Sequence, residues 1–303
     1  MTVVASGVLD ESARRLAEKF CREEITVHRV YSWLAEKEKD PVRREHLRKL
    51  AEQELRHYEF WSWLLGSSCR PYGVTMKRIM LLYRLLGPVF TLRLLERGEE
   101  ATIEQYQRFL DRIRDKQLRR ELEQIIREEE EHEEALLSSI EDTRVKYMGF
   151  IALGLADAIV EITGVHAGFL GATSSTILAG VAGLVVGFSA ALSMAGAAYL
   201  QAKHGRETRP AISARVTGVS YIISVILLAL PYFLLHTMLE AFAVSLVIAT
   251  VIIAGFTYFS TVVQNGPFLR EFLESTGLML GTALGSYTFG KLLGGLLGVE
   301  AVL

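Results

Sequence analysis

Beyond Lys146, five long apolar stretches follow one another with only short links between them. They cover approximately residues 147–170, 176–200, 214–235, 239–263 and 272–298. A helix needs about 20 apolar residues to cross the roughly 30 Å of hydrocarbon in a bilayer, and every stretch reaches that length. One such stretch can be the core helix of a soluble protein. Five in succession predict a membrane domain with five transmembrane helices.

The charged residues are concentrated in the other half of the chain. Residues 1–146 contain 27 of the 33 lysines and arginines and 28 of the 35 aspartates and glutamates. Residues 147–303 contain six basic and seven acidic residues, a composition typical of protein surrounded by lipid. We therefore expect a water-exposed domain at 1–146 and a membrane domain at 147–303. Basic and acidic residues are interleaved in the first half, which argues against a nucleic-acid partner.

The basic residues of the links predict an orientation in the bilayer. Arg144 and Lys146 precede the first stretch, and Arg270 precedes the last. Between the second and third stretches lie Lys203, Arg206, Arg209 and Arg215. The other two links contain no Lys or Arg, and cytoplasmic loops are enriched in these residues. The pattern predicts an integral membrane protein with a cytoplasmic N-terminal domain and the C-terminus on the opposite side. The N-terminal residues also lack the pattern of a cleaved secretory signal.

Two acidic side chains lie inside the first apolar stretch. Asp157 and Glu161 are four residues apart, so they project from one face of a helix. A charge in hydrocarbon costs about 2.5–3.5 kcal/mol on insertion scales and usually faces a bundle interior or an aqueous path. We interpret the pair as a surface that binds a proton or a cation. The structural alternatives are a position near the interface and a pairing with Lys291.

Residues 9–146 have the pattern of helices almost throughout. Breaks are expected at 40–41, 66–73, 87–88 and, weakly, near 115. The four helices would cover about 9–39, 41–65, 89–114 and 116–146. Short links within each pair and a long crossover between the pairs are typical of a ferritin-like four-helix bundle. In the crossover, the segment MKRIMLLYRLLG (76–87) is basic and amphipathic. It either lies on a membrane surface or packs over the bundle. We favour packing over the bundle.

Each of the four helices carries a glutamate in phase with its apolar stripe. These glutamates are Glu24, Glu54, Glu99 and Glu129. A histidine follows one turn later in two helices, which gives Glu54-x-x-His57 and Glu129-x-x-His132. Buried carboxylates are costly without cations, and this ligand pattern is the one described for di-iron and di-manganese carboxylate proteins. We predict a site for two Fe or Mn ions, because oxygen ligands dominate and no thiolate is offered.

Several details of this site stay open. Glu99 and Glu100 are adjacent; the helical phase favours Glu99, because Tyr106 follows it by seven residues as Tyr31 follows Glu24. The two tyrosines either donate hydrogen bonds to the carboxylates or are ordinary core residues. Most glutamates of the run 128–134 should be solvated. The only cysteines, Cys21 and Cys69, exclude a disulfide framework; a single disulfide is possible, but no sequence pattern supports it.

The ligand pattern of residues 9–146 resembles the rubrerythrin branch of the ferritin-like superfamily. This resemblance implies a two-metal site formed by the glutamates and histidines named above. The cysteine pairs of the rubredoxin-type electron relay are absent from this chain. A peroxidase activity of the rubrerythrin kind is therefore in doubt.

Residues 147–303 resemble the vacuolar iron transporter family. The resemblance rests on GLADAIVEITGVHAGFLGA in the first stretch, LAGVAGLVVGFSAALSMAGAAYL in the second and the Gly-rich last stretch. It implies five spans, a homodimer, and export of Fe²⁺ or Mn²⁺ from the cytosol coupled to protons, with Asp157 and Met194 contacting the ion. On its own, Met194 would more often be a packing residue. The link between the second and third spans is short here, and the N-terminal bundle takes the place of the metal-binding insertion found there in many plant-type members, as in membrane-bound ferritin fusions of prokaryotes.

The sequence therefore predicts a metal exporter whose cytoplasmic bundle captures or senses Fe²⁺ or Mn²⁺. In the membrane, Asp157 would bind the ion or the exchanged proton, Met194 would add a soft contact and Glu161 would be an auxiliary acid. The alternative is a membrane-anchored di-iron ferroxidase or peroxide-reducing enzyme. No separate catalytic residue is predicted for either hypothesis.

Overall fold

A computed structural model describes residues 10–113, 115–131, 142–173, 175–205 and 209–298, and describes only the backbone at residues 99, 100, 131, 143 and 144. Every regular element in these ranges is a helix, so the prediction of an all-α chain is confirmed for them. The contacts divide the chain into two compact units. Unit 1 is Met1–Asp142 and unit 2 is Thr143–Leu303.

Unit 1 contains five helices in its described part. They are α1 (Glu11–Lys37), α2 (Pro41–Leu65), α3 (Gly73–Leu86), α4 (Pro88–Leu110) and α5 (Lys116–Glu131). Asp10 and Asp40 begin α1 and α2 by accepting hydrogen bonds from backbone N–H groups of the first turn, which would otherwise lack partners. Gly66 ends α2 with a φ of 66°, a conformation that favours glycine. Helix α3 occupies the crossover, which we had expected to be a connection.

Four of these helices share one hydrophobic core. Helix α1 contributes Phe20, α2 contributes Trp61, α4 contributes Tyr106 and Phe109, and α5 contributes Leu122. The Phe20 ring lies 4.6 Å from that of Tyr106 and 4.9 Å from that of Trp61, measured between centroids. A second cluster joins α1, α2 and α4 to the inner side of α3. Aromatic packing of this kind holds the helices that carry the polar residues described below.

The segment between α2 and α3 is fastened to α1. Cys21 and Cys69 form a disulfide, which the sequence left as an unsupported possibility. The Arg22 side chain donates to the backbone oxygen of Arg70 at 3.2 Å, and the backbone N–H of Tyr72 donates to the Thr26 hydroxyl at 2.9 Å. These contacts lie within one turn of Glu24 on α1.

Unit 2 is organised around its first long helix. Its helices are α6 (Thr143–Lys146), α7 (Met148–Ala172), α8 (Thr176–Gly205), α9 (Pro210–Ala229), α10 (Pro231–Leu234), α11 (Met238–Gln264) and α12 (Phe268–Leu297). Helix α7 packs against α8, α9, α11 and α12. Close approach requires glycine where α7 meets α12: a Cβ on Gly290 would lie 2.1 Å from the backbone oxygen of Gly168. This is the small-residue packing typical of membrane helices.

Four segments of the described chain are long and apolar enough to cross a membrane. They are Met148–Ala172, Thr176–Gly205, Pro210–Leu234 and Met238–Gln264. Large apolar side chains such as Val185, Leu192 and Val247 are exposed on their surfaces, as expected for contact with lipid. Helix α12 is 30 residues long but is not among the four, and it carries Arg270, Glu271, Glu274 and Lys291. The fifth span therefore stays a prediction.

Candidate metal centre

A buried cluster of three carboxylates and one imidazole lies in unit 1. Glu24 is on α1, Glu54 and His57 are on α2, and Glu129 is on α5; all four are between 1% and 5% exposed. Each offers one ligand atom, and these atoms lie within 4.8 Å of one another. Oxygen and imidazole donors at this separation could hold a metal ion.

Helical spacing explains how the sequence forms this cluster. Glu24 follows the buried Phe20 by four residues, and His57 follows Glu54 by three, so each polar residue occupies a place in a buried stripe. The structure thus brings together four of the predicted ligands. The predicted ligand His132 lies outside the described residues, as do the side chains of Glu99 and Glu100.

Helix α4 also carries a buried carboxylate that the sequence did not single out. Glu96 is 8% exposed and forms an ion pair with Arg93, with a nitrogen–oxygen distance of 3.3 Å. It lies about one turn before Glu99 and Glu100. Its partner on the preceding turn gives it a structural explanation without a metal.

The imidazole of His57 contacts two carboxylates of the cluster. Its Nδ1 is 2.9 Å from Oε1 of Glu129 and 3.8 Å from Oε2 of Glu24. Burial alone would lower the pKa of His57, but hydrogen bonds to Glu129 and Glu24 outweigh it and raise the pKa to about 10. In the metal-free cluster the imidazole is therefore protonated at neutral pH. A bound metal would replace this proton, because only neutral histidine is a ligand.

The donor set fits a metal by its chemistry. One imidazolium can offset the charge of only one of the three buried carboxyl groups. Buried carboxylates are expensive to hold in their charged form, and cations are a usual remedy. Carboxylate oxygens and an imidazole suit Fe and Mn, whereas the two cysteines are joined to each other and offer no thiolate.

Glu128 is a contributor that the sequence analysis missed. Its Oε2 lies 3.1 Å from Nε2 of His57, and its Oε1 accepts a hydrogen bond from Gln124 at 2.8 Å. Burial would raise the pKa of Glu128, but Gln124 and His57 together lower it. The side chain is 21% exposed, so Glu128 is half-buried; the prediction that most glutamates of the run 128–134 are solvated stays a prediction, because most of the run lies outside the described side chains. Its contact with the second ring nitrogen fixes which nitrogen of His57 points into the cluster.

Tyr106 contacts a carboxylate of the cluster directly. Its hydroxyl donates a hydrogen bond to Oε1 of Glu24 and accepts one from Nε1 of Trp61 at 3.2 Å. Burial raises the pKa of Tyr106 well above its usual value, and the charges of Glu24 and Glu129 raise it further. The phenol therefore remains a donor at all ordinary pH values. Tyr31 is buried in the second hydrophobic cluster, beside Val30 and Leu34.

A cavity of about 520 Å³ adjoins the cluster. Its walls include Glu24, Glu54 and Glu129, together with apolar side chains of α3 and α4 such as Ile79 and Leu95. The cluster is therefore buried by its own side chains yet borders a space large enough for a small molecule or a hydrated ion. Sequence patterns gave no indication of this cavity.

The predicted transport residues of unit 2 have different surroundings. Asp157 is exposed on α7, while Glu161 and Met194 are partly buried. Glu161 accepts a hydrogen bond from the hydroxyl of Tyr221. Neither acid belongs to the candidate metal-binding cluster found among the described residues, and neither forms an ion pair with Lys291 among the described ion pairs.

No family model, curated protein or solved structure matches this chain.

Proposed function

We propose that this protein binds Fe²⁺ or Mn²⁺ in unit 1 and exports it from the cytosol through unit 2 by proton antiport. The observation that carries the proposal is the buried cluster of Glu24, Glu54, His57 and Glu129 in a chain that also has four helices apolar enough to cross a membrane. A metal-binding centre in the same chain as a membrane domain is what capture before transport requires.

The proposal for unit 1 is a ferritin-like bundle with two metal ions. Glu24 and Glu129 both lie beside Nδ1 of His57, and with Glu54 they would supply carboxylate ligands to the two ions. Glu99 or Glu100 and His132 would complete the ligand set by the sequence pattern. The bound metals would supply divalent charge and, with iron, redox chemistry. The protein would supply orientation through Glu128 and Tyr106.

The proposal for unit 2 is a five-span homodimer, with α12 as the fifth span. Asp157 supports a dimer, because it is exposed on the single chain within a helix apolar enough to cross a membrane. A carboxylate facing lipid costs about 2.5–3.5 kcal/mol, and a second copy over this face would remove that cost. Asp157 would then bind the ion or the exchanged proton, with Glu161 as auxiliary acid and Met194 as thioether contact.

Two observations bear on the side of the membrane where unit 1 lies, and they point in opposite directions. The basic links favour the cytoplasm. The Cys21–Cys69 disulfide is typical of oxidising compartments and rare in the cytosol, except in hyperthermophiles. We propose the cytoplasmic side, because the basic residues of the links agree with one another. An impermeant thiol reagent on intact cells should label a cysteine at Asp115 only after lysis; labelling before lysis would place unit 1 outside.

Metal uptake into inside-out vesicles tests the transport proposal. Asp157→Ala should abolish uptake, whereas Glu240→Gln, an exposed acid at the start of α11, should leave it unchanged. Glu54→Ala should reduce uptake most at low metal concentration, where capture limits the flux. Undiminished flux in Asp157→Ala would overturn the assignment of that residue. Unaltered transport by Glu54→Ala at every metal concentration would exclude both delivery and gating by unit 1.

A second candidate function is a membrane-anchored ferroxidase or peroxide-reducing enzyme. The hydrogen-bonded row of Trp61, Tyr106 and Glu24 and the neighbouring cavity favour it, because oxidisable side chains and space for a small oxidant lie beside the cluster. Consumption of oxygen or peroxide by the full chain with Fe²⁺ discriminates the two functions. Repeated turnover supports an enzyme, and slow or absent turnover supports a passive collector.

A further inference from the structure

Helix α3 has two faces with different surroundings. Its inner face, formed by Met76, Ile79 and Tyr83, packs into the second hydrophobic cluster. Its outer face carries Val74, Leu81 and Leu85, which are 66%, 55% and 62% exposed. At 3.6 residues per turn, these three side chains lie within about 40° of one another around the helix. They share one face of the helix, with Arg78 near this face between Val74 and Leu81, and we call the three apolar residues the outer stripe.

The outer stripe is unusual within unit 1. Among the described residues of this unit, the only other exposed large hydrophobic side chains are Val42 and Trp63 on α2. Single exposed apolar residues are common on soluble proteins and need no explanation. Three of them on one face of a single helix are more than scattered exposure and are consistent with an interaction surface.

Basic residues border the outer stripe on both sides. By helix geometry Arg78 lies along one edge and Lys77 and Arg84 along the other, and all three are exposed. The sequence contains no Asp or Glu from residue 60 to residue 95, although residues 1–146 contain 28 acidic residues. The surface is therefore apolar in the middle and positively charged at its edges.

We propose that the outer stripe docks on a bilayer surface that contains anionic lipids. An apolar row with lysine and arginine at its margins is the pattern of a helix that lies in the membrane interface. The apolar side chains enter the boundary between headgroups and acyl chains, while the long stems of Lys77 and Arg84 let their charges reach lipid phosphates. The sequence left two alternatives for this segment, packing over the bundle and lying on a membrane. Helix α3 would do both, because its inner face packs on the bundle and its outer face would contact lipid.

The rest of the chain makes this partner available. Unit 1 is covalently joined to helices that are apolar enough to cross a membrane, so a lipid surface is present at high effective concentration. A helix of 14 residues with three apolar contacts would bind a free membrane weakly, but a tethered one needs little additional affinity. The docked helix also adjoins the candidate metal centre, because Arg78, Ile79 and Leu82 of α3 line the cavity beside Glu24. The proposal does not depend on metal transport.

Lipid quenching in nanodiscs tests this proposal with the full chain. An environment-sensitive fluorophore is attached at Leu81→Cys, and the discs contain lipids with a spin label near the headgroup, with or without one-third phosphatidylglycerol. We expect quenching in the anionic discs and little in neutral discs or at high salt. The double variant Lys77→Gln/Arg84→Gln should lower the docking equilibrium constant, obtained from the ratio of quenched to unquenched fluorophore, about fivefold for each charge removed. A fluorophore at Val42→Cys, which is exposed on α2, is the matched control and should not be quenched.

Three results would overturn the proposal. They are absence of quenching at position 81 in anionic discs, equal quenching at positions 42 and 81, and a fluorophore at 81 that is shielded from water but not quenched by lipid. The last result would identify a protein surface instead, and discs with one or two copies of the chain would show whether that surface is a second copy. Hydrogen exchange of residues 73–86 in the unsubstituted protein, which should slow in anionic discs, repeats the test without any substitution.

Discussion

The acidic residues of unit 1 and those of unit 2 differ in how they are surrounded. In unit 1, the carboxylates of Glu24 and Glu129 are buried, and both face the imidazole of His57. In unit 2, Asp157 is exposed on its helix, and Glu161 is linked to one tyrosine. The first arrangement brings four candidate ligands together within a single chain. The second arrangement leaves the carboxylate of Asp157 exposed on the apolar surface of a helix that could cross a membrane.

This difference indicates two kinds of cation contact. Grouped carboxylates with fixed hydrogen-bond partners hold their geometry before an ion arrives, which favours tight and lasting binding. A lone exposed acid in an apolar helix can bind a cation or proton only when another surface completes the site. On the proposed function, unit 1 retains the metal and unit 2 passes it on, so changes in the two units should have separable effects.

The largest expected effect separates the two units. Glu54→Ala removes a ligand, so metal affinity of the full chain should fall by more than about 100-fold, since outer partners alone are worth about 10–100-fold. Asp157→Ala should leave the bound metal unchanged while transport is lost. Metal content by mass spectrometry checks the bound metal of both variants, and metal uptake into inside-out vesicles checks their transport. Glu52→Ala, an exposed acid on the same helix, is the control, and an equal loss of metal in that variant would contradict the assignment.

Metal binding in unit 1 should depend on pH through the imidazole of His57. His57 has a pKa of about 10 in the metal-free cluster, so a metal must displace its proton over the whole neutral range. Between about pH 6.5 and 8.5, Mn²⁺ affinity should rise by about tenfold per pH unit, as measured by titration calorimetry. The stability of the metal-free protein should change in the opposite direction, because the raised pKa stabilises the fold below pH 6.5 and this contribution is lost as the pH rises towards 10. His57→Gln should remove both trends; an unchanged slope would contradict the role of His57.

Loss of the carboxylate that orients His57 should have an intermediate effect. Glu128→Ala removes the contact to Nε2 and should weaken metal binding by about 10–100-fold. Glu128→Gln keeps an acceptor at this position and should restore part of the affinity. Glu121→Ala on the exposed side of α5 should have no effect. Identical affinities for the wild type and Glu128→Ala would show that Glu128 is an ordinary surface residue.

The smallest expected effect is that of the tyrosine on Glu24. Tyr106→Phe keeps the ring but removes a hydrogen bond to a buried carboxylate, which should cost about 1.5–3 kcal/mol. The midpoint of thermal unfolding of unit 1 should fall by several degrees. All three tryptophans lie in unit 1, so their fluorescence reports on this unit alone. Tyr58→Phe, at the margin of the same core, should change the midpoint less, and a larger change there would contradict this assignment.

Helical phase was enough to find Glu24, Glu54, His57 and Glu129, because a polar residue inside an apolar stripe must face the core. Helical phase does not identify Glu128, because it lies beside the apolar stripe of α5. Its carboxylate contacts a ring nitrogen of His57 on another helix. A search for a carboxylate able to meet the second nitrogen of each candidate histidine could have suggested it. The Cys21–Cys69 pairing was also inaccessible, since it depends on the path of the segment between α2 and α3.

The membrane half was predictable from composition to a coarser level. Length and hydropathy identify four helices that could cross a bilayer. The fifth stretch was predicted by its position, and its charged and glycine residues weaken its apolar signal although it packs closely on α7. Side-chain surroundings such as the bond from Tyr221 to Glu161 depend on which helices adjoin α7, and periodicity does not specify that.

Anomalous scattering from crystals of the full-length protein tests the central claim most directly. With data on both sides of the iron and manganese absorption edges, the account predicts two peaks in unit 1 within bonding distance of Glu24, Glu54, His57 and Glu129, and matching metal content in the dissolved crystals. Metal-free density with those four side chains directed into solvent, or peaks found only elsewhere in the chain, would contradict it.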